Sequence, residues 1–376
     1  MLVVLLSGRA AIRSTYELAG RDTVAAVLSG DSTWEAASFI PSPLVPELES
    51  MPGIAHPADG SGISKELTSG GSARLQSNVP GRPGQTVSAR GVTPAAFKLR
   101  QHFRIVSGRA FDSGKYEAIV GRALADQYDV REGSTVRLGR ADLEVVGIFA
   151  SPGGTADMEV WLDKKVYEGL VIRPMTTDAG PPETFDPAST IWVQLDGATG
   201  LSQLRNAIAA SGTERMKSSK LRVVTEREFF AEQSHDLVER AGKAALVVGL
   251  VMGLGALFGA INTMYAAVAH RSREIATLRA LGFQRFPISV SIIVEALVLS
   301  LVGGVLGAAL AVLVIRNVTF AVYNPAASAQ IALRFMPDAG IVAGASGYVL
   351  LLGLVSSILP CIRALRSPIP VGLLTR

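Results

Sequence analysis

The chain holds a single cysteine, Cys361, so no disulfide can form within it and every compact part must be held by packing. Set near the end of an apolar run, Cys361 reads as a small packing residue rather than a reactive thiol. Histidine is scarce as well. His56, His102, His235 and His270 are scattered, and none has a second ligand at metal-binding spacing. Gly-x-Ser-x-Gly, His-Glu-x-x-His and Cys-x-x-Cys are all missing, which removes the signatures of common serine hydrolases, zinc peptidases and thiol redox enzymes. Gly-x-x-x-x-Gly-Lys-Ser/Thr is missing too, so these residues hold no ATP through a P-loop. No catalytic, cofactor or metal site is expected. The acids Asp157 and Glu159 read as solvated charges at a loop or strand end. A dispersed net charge of +4 is too small to mark a nucleic-acid binder, so no nucleic acid is expected as partner.

Charge is also missing from three long stretches. Residues 244–269 carry none, 288–315 carry Glu295 alone, and 341–362 carry none. At about 1.5 Å per helical residue, each can cross a hydrocarbon core of about 30 Å. The whole-chain figures of 48% hydrophobic and 18% charged residues therefore average a polar first part with an apolar last part that begins after residue 243. The fold class expected is a membrane protein. Its α-helical transmembrane bundle has three full spans and a truncated fourth at the N-terminus, joined to an α+β extracytoplasmic domain.

Orientation follows from the arginines. Arg271, Arg273, Arg279 and Arg285 lie between the first two spans, and Arg363, Arg366 and Arg376 follow the last. The other connection, from Asn317 to Gly340, has Arg334, with Arg316 at its edge. Positive charge gathers on the cytoplasmic side, so the basic loop and the tail are inside. Arg240 and Lys243, flanking the first span outside, weigh modestly against this. Residues 14–243 then form an extracytoplasmic domain, which needs a leader or a membrane helix before it. Met1 to Leu6 is too short an apolar run for either. Residues 1–13 are expected to be the remnant of a first transmembrane helix that begins upstream.

The outer region alternates strand and helix signals. Strands are expected at 23–28, 86–92, 118–121, 135–138, 143–149, 158–162, 190–195 and 221–224, with helices at 43–49, 122–128 and 201–210. Residues 57–86, rich in Gly, Ser and Pro, read as a long surface loop around one strand, and 174–187 as irregular. From Glu226 to Gly242 no Gly or Pro intervenes, so a stalk helix should run from about Thr225 into the membrane.

Within the basic loop, Ile275, Leu278 and Leu281 recur at i, i+3 and i+6, and Gly282 is a C-terminal stop with Pro287 beyond. This predicts a short amphipathic cytosolic helix rimmed by Arg271, Arg273, Glu274 and Arg279. Two readings are open from periodicity alone. The helix could be an interfacial turn that only sets topology, or a coupling helix docked in a groove of a partner. Asn262 and Glu295 are the intramembrane polar residues. A charge at the bilayer centre costs about 2.5–3.5 kcal/mol on insertion scales, so Glu295 should find an interhelical partner. Gly303, Gly304 and Gly307, with Gly249, Gly253 and Gly255, are expected to permit close helix packing.

The loop resembles the signature of ABC transporter permeases of the macrolide-exporter and lipoprotein-release type with an FtsX-like permease domain. It stands here as Asn262-Thr263-Met264 followed by Arg271-Ser272-Arg273-Glu274-Ile275-Ala276-Thr277-Leu278-Arg279-Ala280-Leu281-Gly282. Glu295 with Gly303-Gly304-x-x-Gly307, the tail Leu359-Pro360-x-x-Arg363-Ala364 with Pro368, and several outer-domain motifs fit as well. These are Gly91-Val92-Thr93-Pro94, Ser107-Gly108-Arg109-Ala110-Phe111, Ala118-Ile119-Val120-Gly121 and Val145-Val146-Gly147-Ile148-Phe149. The family has four membrane helices with the outer domain between the first two, whereas this chain shows three and a remnant.

The resemblance implies a permease subunit in a bacterial cell (inner) membrane, multi-pass, with residues 244–376 as its FtsX-like permease domain. It implies no enzyme activity of its own, with ATP hydrolysis in a separate ABC ATP-binding subunit. The implied ATPase-coupling helix is Arg271, Arg273, Glu274, Ile275, Leu278, Arg279, Leu281 and Gly282. The implied assembly is a homodimer or pseudo-dimer among membrane lipids, with room for a periplasmic or extracellular adaptor. Movement of the outer domain would export or extract an amphiphilic substrate. The alternative is a non-transporting membrane regulator that activates an extracytoplasmic partner such as a cell-wall hydrolase.

Overall fold

A backbone surrounded by hydrocarbon must satisfy its own hydrogen bonds, so long apolar runs become helices. The computed structural model describes residues 2–17, 20–30, 32–68, 72–75, 84–100, 103–151, 156–173, 186–315, 319–324, 329–334 and 338–366. Its elements begin with α1 (Leu2–Glu17), β1 (Val24–Leu28), α2 (Val45–Glu49), β2 (Ile63–Glu66), β3 (Ser72–Leu75), β4 (Gln85–Val92) and α3 (Ala96–Leu99). They continue with β5 (Arg104–Gly108), β6 (Glu117–Gly121), α4 (Arg122–Tyr128), β7 (Thr135–Leu138), β8 (Ala141–Ala150), β9 (Glu159–Asp163), α5 (Lys164–Tyr167) and β10 (Thr190–Gln194). Then come α6 (Gly200–Ala210), α7 (Glu214–Ser219), β11 (Arg222–Thr225), α8 (Glu226–His270), α9 (Ser272–Ala280) and α10 (Arg285–Ile315). The last are β12 (Thr319–Asn324), β13 (Ala329–Arg334) and α11 (Ala339–Arg366). The chain divides into two compact units, Met1–Ala11 with Val238–Val318 and Phe335–Arg376, and Ile12–Leu237 with Thr319–Arg334.

The second unit has two lobes, each with its own apolar core. One lobe is an antiparallel sheet in the order β11-β1-β10-β2. Read along the chain as β1-α2-β2, then β10-α6-β11, it is a split βαβ arrangement. Ala25, Val27, Ile191 and Val193 alternate onto one face and pack with Leu44, Leu48 and Leu204.

The second lobe is inserted between β2 and β10. Strand β8 pairs with β6 along one edge and with both β5 and β7 along the other, so the sheet closes as β8-β6-β9-β4-β3-β7. Closure removes strand edges. The interior is filled at every second position: Ala73 and Leu75, Val87 and Ala89, Ala118 and Val120, Val136 and Leu138, Leu143 and Val145, Val160 and Leu162. Outside the barrel Phe97, Phe103, Phe149 and Trp161 stack in sequence, with ring centroids 4.9 Å (97–103), 5.3 Å (103–149) and 4.7 Å (149–161) apart.

Sequence expectations for this region need three corrections. Residues 57–86 hold two strands, β2 and β3, not one. Strand β5, mostly exposed, gave no alternation to read. The connection between α10 and α11 contains the hairpin β12–β13, which folds with the second unit against β4 and the turn Ala156–Met158. Residues 174–185 of the proline-rich stretch, His102, Arg316, Asn317 and the tail with Pro368 and Arg376 lie outside the described residues.

In the first unit three helices are long and apolar enough to cross a membrane, α8, α10 and α11, among the described residues. Each extends past the expected span, and α8 is one continuous helix of 45 residues, as the lack of Gly and Pro before 242 anticipated. Helix α1 runs past residue 13 to Glu17 and is not among the three. Close packing uses some of the expected glycines, Gly253 among them, and one that was not expected, Gly353. A Cβ on Gly353 would stand 2.0 Å from Ser300 Oγ of α10, and one on Gly253 would stand 1.8 Å from the Tyr348 hydroxyl of α11. That hydroxyl donates to the Gly249 carbonyl at 3.1 Å. A Cβ on Gly255, Gly303 or Gly307 would meet nothing within 4 Å.

Candidate functional site

The inner connection is built by two abrupt changes of direction. Helix α8 stops at His270, and Arg271 (φ −97°, ψ 10°) precedes α9. At the other end Gly282 takes φ +95°, a conformation that favours glycine. Its N–H bonds the Arg279 carbonyl at 3.1 Å, and the Phe283 N–H reaches back to Leu278 at 3.1 Å. This pair of bonds is the Schellman stop, which turns the chain sharply toward α10.

The expected apolar stripe on α9 is split. Steps of three residues sweep about 120° from Ile275 to Leu281 on a helix of 3.6 residues per turn, too wide for one contact. Ala276 is buried, and Ile275 packs against an inner-end core of Met264, Ile288, Ile292, Ala296, Cys361 and Ala364. Leu278 is 39% exposed and Leu281 73%, and beyond the helix Phe283 is 56% and Phe286 75% exposed. Cys361 is a packing residue, as its place in the sequence suggested.

Glu295 has a partner. Arg271 Nη1 donates to its Oε2 at 2.8 Å, tying the end of α8 to α10. Arg271, Glu274, Ile275, Leu278 and Glu295 all line one cavity of about 230 Å³. Arg273 is exposed and Arg279 half-buried on the same helix. Asn262 sits exposed on α8, away from this cavity.

A second cluster, in the outer unit, was not foreseen. Strand alternation that points Val87 and Ala89 into the barrel points Arg90 out of it, toward the sheet lobe. Its five N–H groups make five bonds: Nε to Glu159 at 2.8 Å, Nη1 to Glu35 at 3.0 Å and Glu66 at 2.8 Å, Nη2 to Glu35 at 2.8 Å and Glu159 at 3.0 Å. Glu159 lies on the barrel, Glu66 on β2 of the sheet lobe, and Glu35 in a short turn after β1. Glu159 is 1% exposed, so its reading as a solvated strand-end charge is corrected. It sits on the lobe-facing side of β9, where Trp161 Nε1 also donates to it at 2.8 Å. Asp157 is half-buried and accepts the Ser151 N–H at 2.5 Å.

Arg100 continues the chain of charge. It reaches Glu66 at 2.7 Å, Glu226 at 3.8 Å, and lies 4.3 Å over the Trp192 ring. Arg21 meets Glu226 through its backbone N–H at 3.2 Å and its Nε at 3.5 Å. Burial pushes up the Glu35 carboxyl, but the adjacent Arg90 charge outweighs it and holds the group below its ordinary value. At Glu226 burial wins and the carboxyl is raised despite Arg100 and Arg21. A signal for this end of the cluster was present in the sequence. Thr225-x-x-Glu228 is a capping box, with the Glu228 N–H on Thr225 Oγ1 at 3.0 Å and the Thr225 N–H on Glu228 at 3.1 Å.

Two family models match the chain, one described as MacB-like periplasmic core domain over residues 1–211 and one as FtsX-like permease C-terminal over residues 246–369. Similar curated proteins carry the name macrolide export ATP-binding/permease protein MacB. That of Hyphomonas neptunium is 28% identical over 194 residues, 50% of this chain and 28% of its own length. That of Shewanella oneidensis is 24% identical over 251 residues, 62% of this chain and 36% of its own length. The chain thus spans about a third or less of the relatives it matches. The solved periplasmic region of MacB from Actinobacillus actinomycetemcomitans superposes with a TM-score of 0.40 at 9% identity, covering 58% of this chain and 94% of that one.

Proposed function

Because the chain belongs to the MacB/FtsX-like family of ABC transporter permeases, a membrane protein with an extracytoplasmic domain, we propose that it couples ATP hydrolysis elsewhere in the complex to movement of that domain. Helix α9 is the coupling helix. Its exposed apolar side chains, Leu278 and Leu281, with Phe283 and Phe286 beyond the helix, support this reading most directly, because exposed apolar groups beside fixed charges suit a protein groove. The partner is an ABC ATP-binding component, and the working assembly is a dimer of permease halves in the bacterial inner membrane. Relatives named for macrolide export point to amphiphilic molecules as the substrate class, expelled from the outer side.

In this mechanism the partner moves α9, and the Arg271–Glu295 pair passes the displacement to α8 and α10 together. The continuous α8 then carries it outward. The test is reconstitution of the full chain with its ATP-binding component. Leu278→Asp, Leu281→Asp and reversal of Glu274 to Lys are expected to abolish co-purification or stimulated hydrolysis, with the outer domain still folded. Unchanged stimulation in all three variants overturns the assignment. Arg271→Glu alone should impair coupling, and the swap Arg271→Glu with Glu295→Arg should restore part of it.

A further inference from the structure

We infer that the first turn of α8 is a pivot, and that Arg100 is the residue that positions it against two lobes that are themselves locked together. The contrast between two arginines carries the inference. Arg90 joins the lobes with every donor it has, an arrangement that cannot change without losing a buried charge-assisted bond. Arg100 and Arg21, which hold Glu226 at the root of α8, are under-used. Arg100 Nε and Arg21 Nη2 are buried with no partner, among the described residues, and the grips on Glu226 are long, at 3.5 and 3.8 Å.

A buried unpaired N–H is costly, so spare donors around one carboxylate have a physical consequence. A tilt of α8 can trade one arginine donor for another at Glu226 without exposing a charge. Glu66 keeps Arg100 anchored to the sheet lobe meanwhile, and the Trp192 face keeps its guanidinium plane in place. Phe229 and Phe230, packed on Trp192 at 5.4 and 6.3 Å, give the first turns of α8 an apolar seat. The outer domain would therefore swing on α8 as one body rather than flex between its lobes. This rests on the permease reading only for the source of the motion.

The test uses the full-length chain in nanodiscs, with Cys361→Ala and spin labels placed in pairs. One pair, Ala231 and Arg140, spans α8 and the barrel; the other, Asn206 and Arg140, spans the two lobes. Arg100→Met and the size-conserving Glu226→Gln are each expected to widen the Ala231–Arg140 distance distribution at least twofold. The Asn206–Arg140 distribution should keep its width. Unchanged Ala231–Arg140 widths in both variants, or equal widening of both pairs, overturns the pivot. The measurement needs no nucleotide. Adding the ATP-binding component and ATP then tests the permease reading separately: movement of the first pair alone supports both. Movement of neither, after widening in the variants, supports the pivot and counts against ATP-driven motion.

Discussion

Arg90 answers three carboxylates at once, so removing it takes a buried guanidinium from Glu35, Glu66 and Glu159 together, while Arg100 still pairs with Glu66. Breaking a buried ion pair by deleting one partner costs about 3–5 kcal/mol, and Arg90→Leu is expected to destabilise the outer unit by that order. Thermal unfolding of the full chain in micelles would register it, and an unchanged melting curve would contradict the saturated network. A second residue-scale expectation concerns pH. Arg109 bonds Glu117 at 2.8 and 2.7 Å, and together with the Asp112 N–H it lowers that carboxyl from 4.5 to about 2. A depressed carboxylate contributes stability that is complete above its ordinary value and is lost as pH falls through the folded one. The melting-temperature gap between the native chain and Glu117→Gln should stay constant above about pH 5 and close toward pH 2. Neither pair was legible in the sequence. Arg90 and Glu159 look like any strand charges until the barrel brings β4 beside β9, in parallel register Ser88 to Glu159 and Arg90 to Trp161.

Elements were more legible, since hydropathy and turn residues act over a few neighbours. The helix pair α10–α11 shows where that reading stops. Glycines in an apolar helix promise close packing somewhere, but only the fold selects which. Gly353→Val would drive a side chain into Ser300, and overpacking of this kind costs about 1–3 kcal/mol. Gly303→Ala meets open space and should be neutral or stabilising, since alanine is favoured over glycine in helices by about 0.5–1 kcal/mol. Comparing the two variants by thermal stability in micelles checks the packing directly; equal losses would sink it. The stop at Gly282 was read correctly from type and place alone, because only a positive φ closes that helix. The apolar face of α9 was read too simply, since half of it turns to the core.

At the scale of the whole chain, the arginine bias makes a topological prediction. Single cysteines in a Cys361→Ala background at Arg140, in the barrel, should react with an impermeant maleimide in intact spheroplasts. One at Gln284, beside α9, should react only after the membrane is opened. Reversed labelling would overturn the orientation and with it the coupling assignment.

Sequence by itself determined three helices long and apolar enough to cross a membrane, a polar first part followed by an apolar last part, and most strands of the outer domain. Each of these follows from local composition or a period of 2 or 3.6, which a chain carries in its order of residues. Tertiary structure alone decided that six strands close into a barrel inserted within the other lobe. It also decided that Arg90 finds Glu35, Glu66 and Glu159, that Arg271 finds Glu295, and that a hairpin from between two spans folds with the outer unit. In each case the partners are far apart in the chain. Electrostatic and packing energy depends on distance in space, and no local pattern records which distant charge will be near.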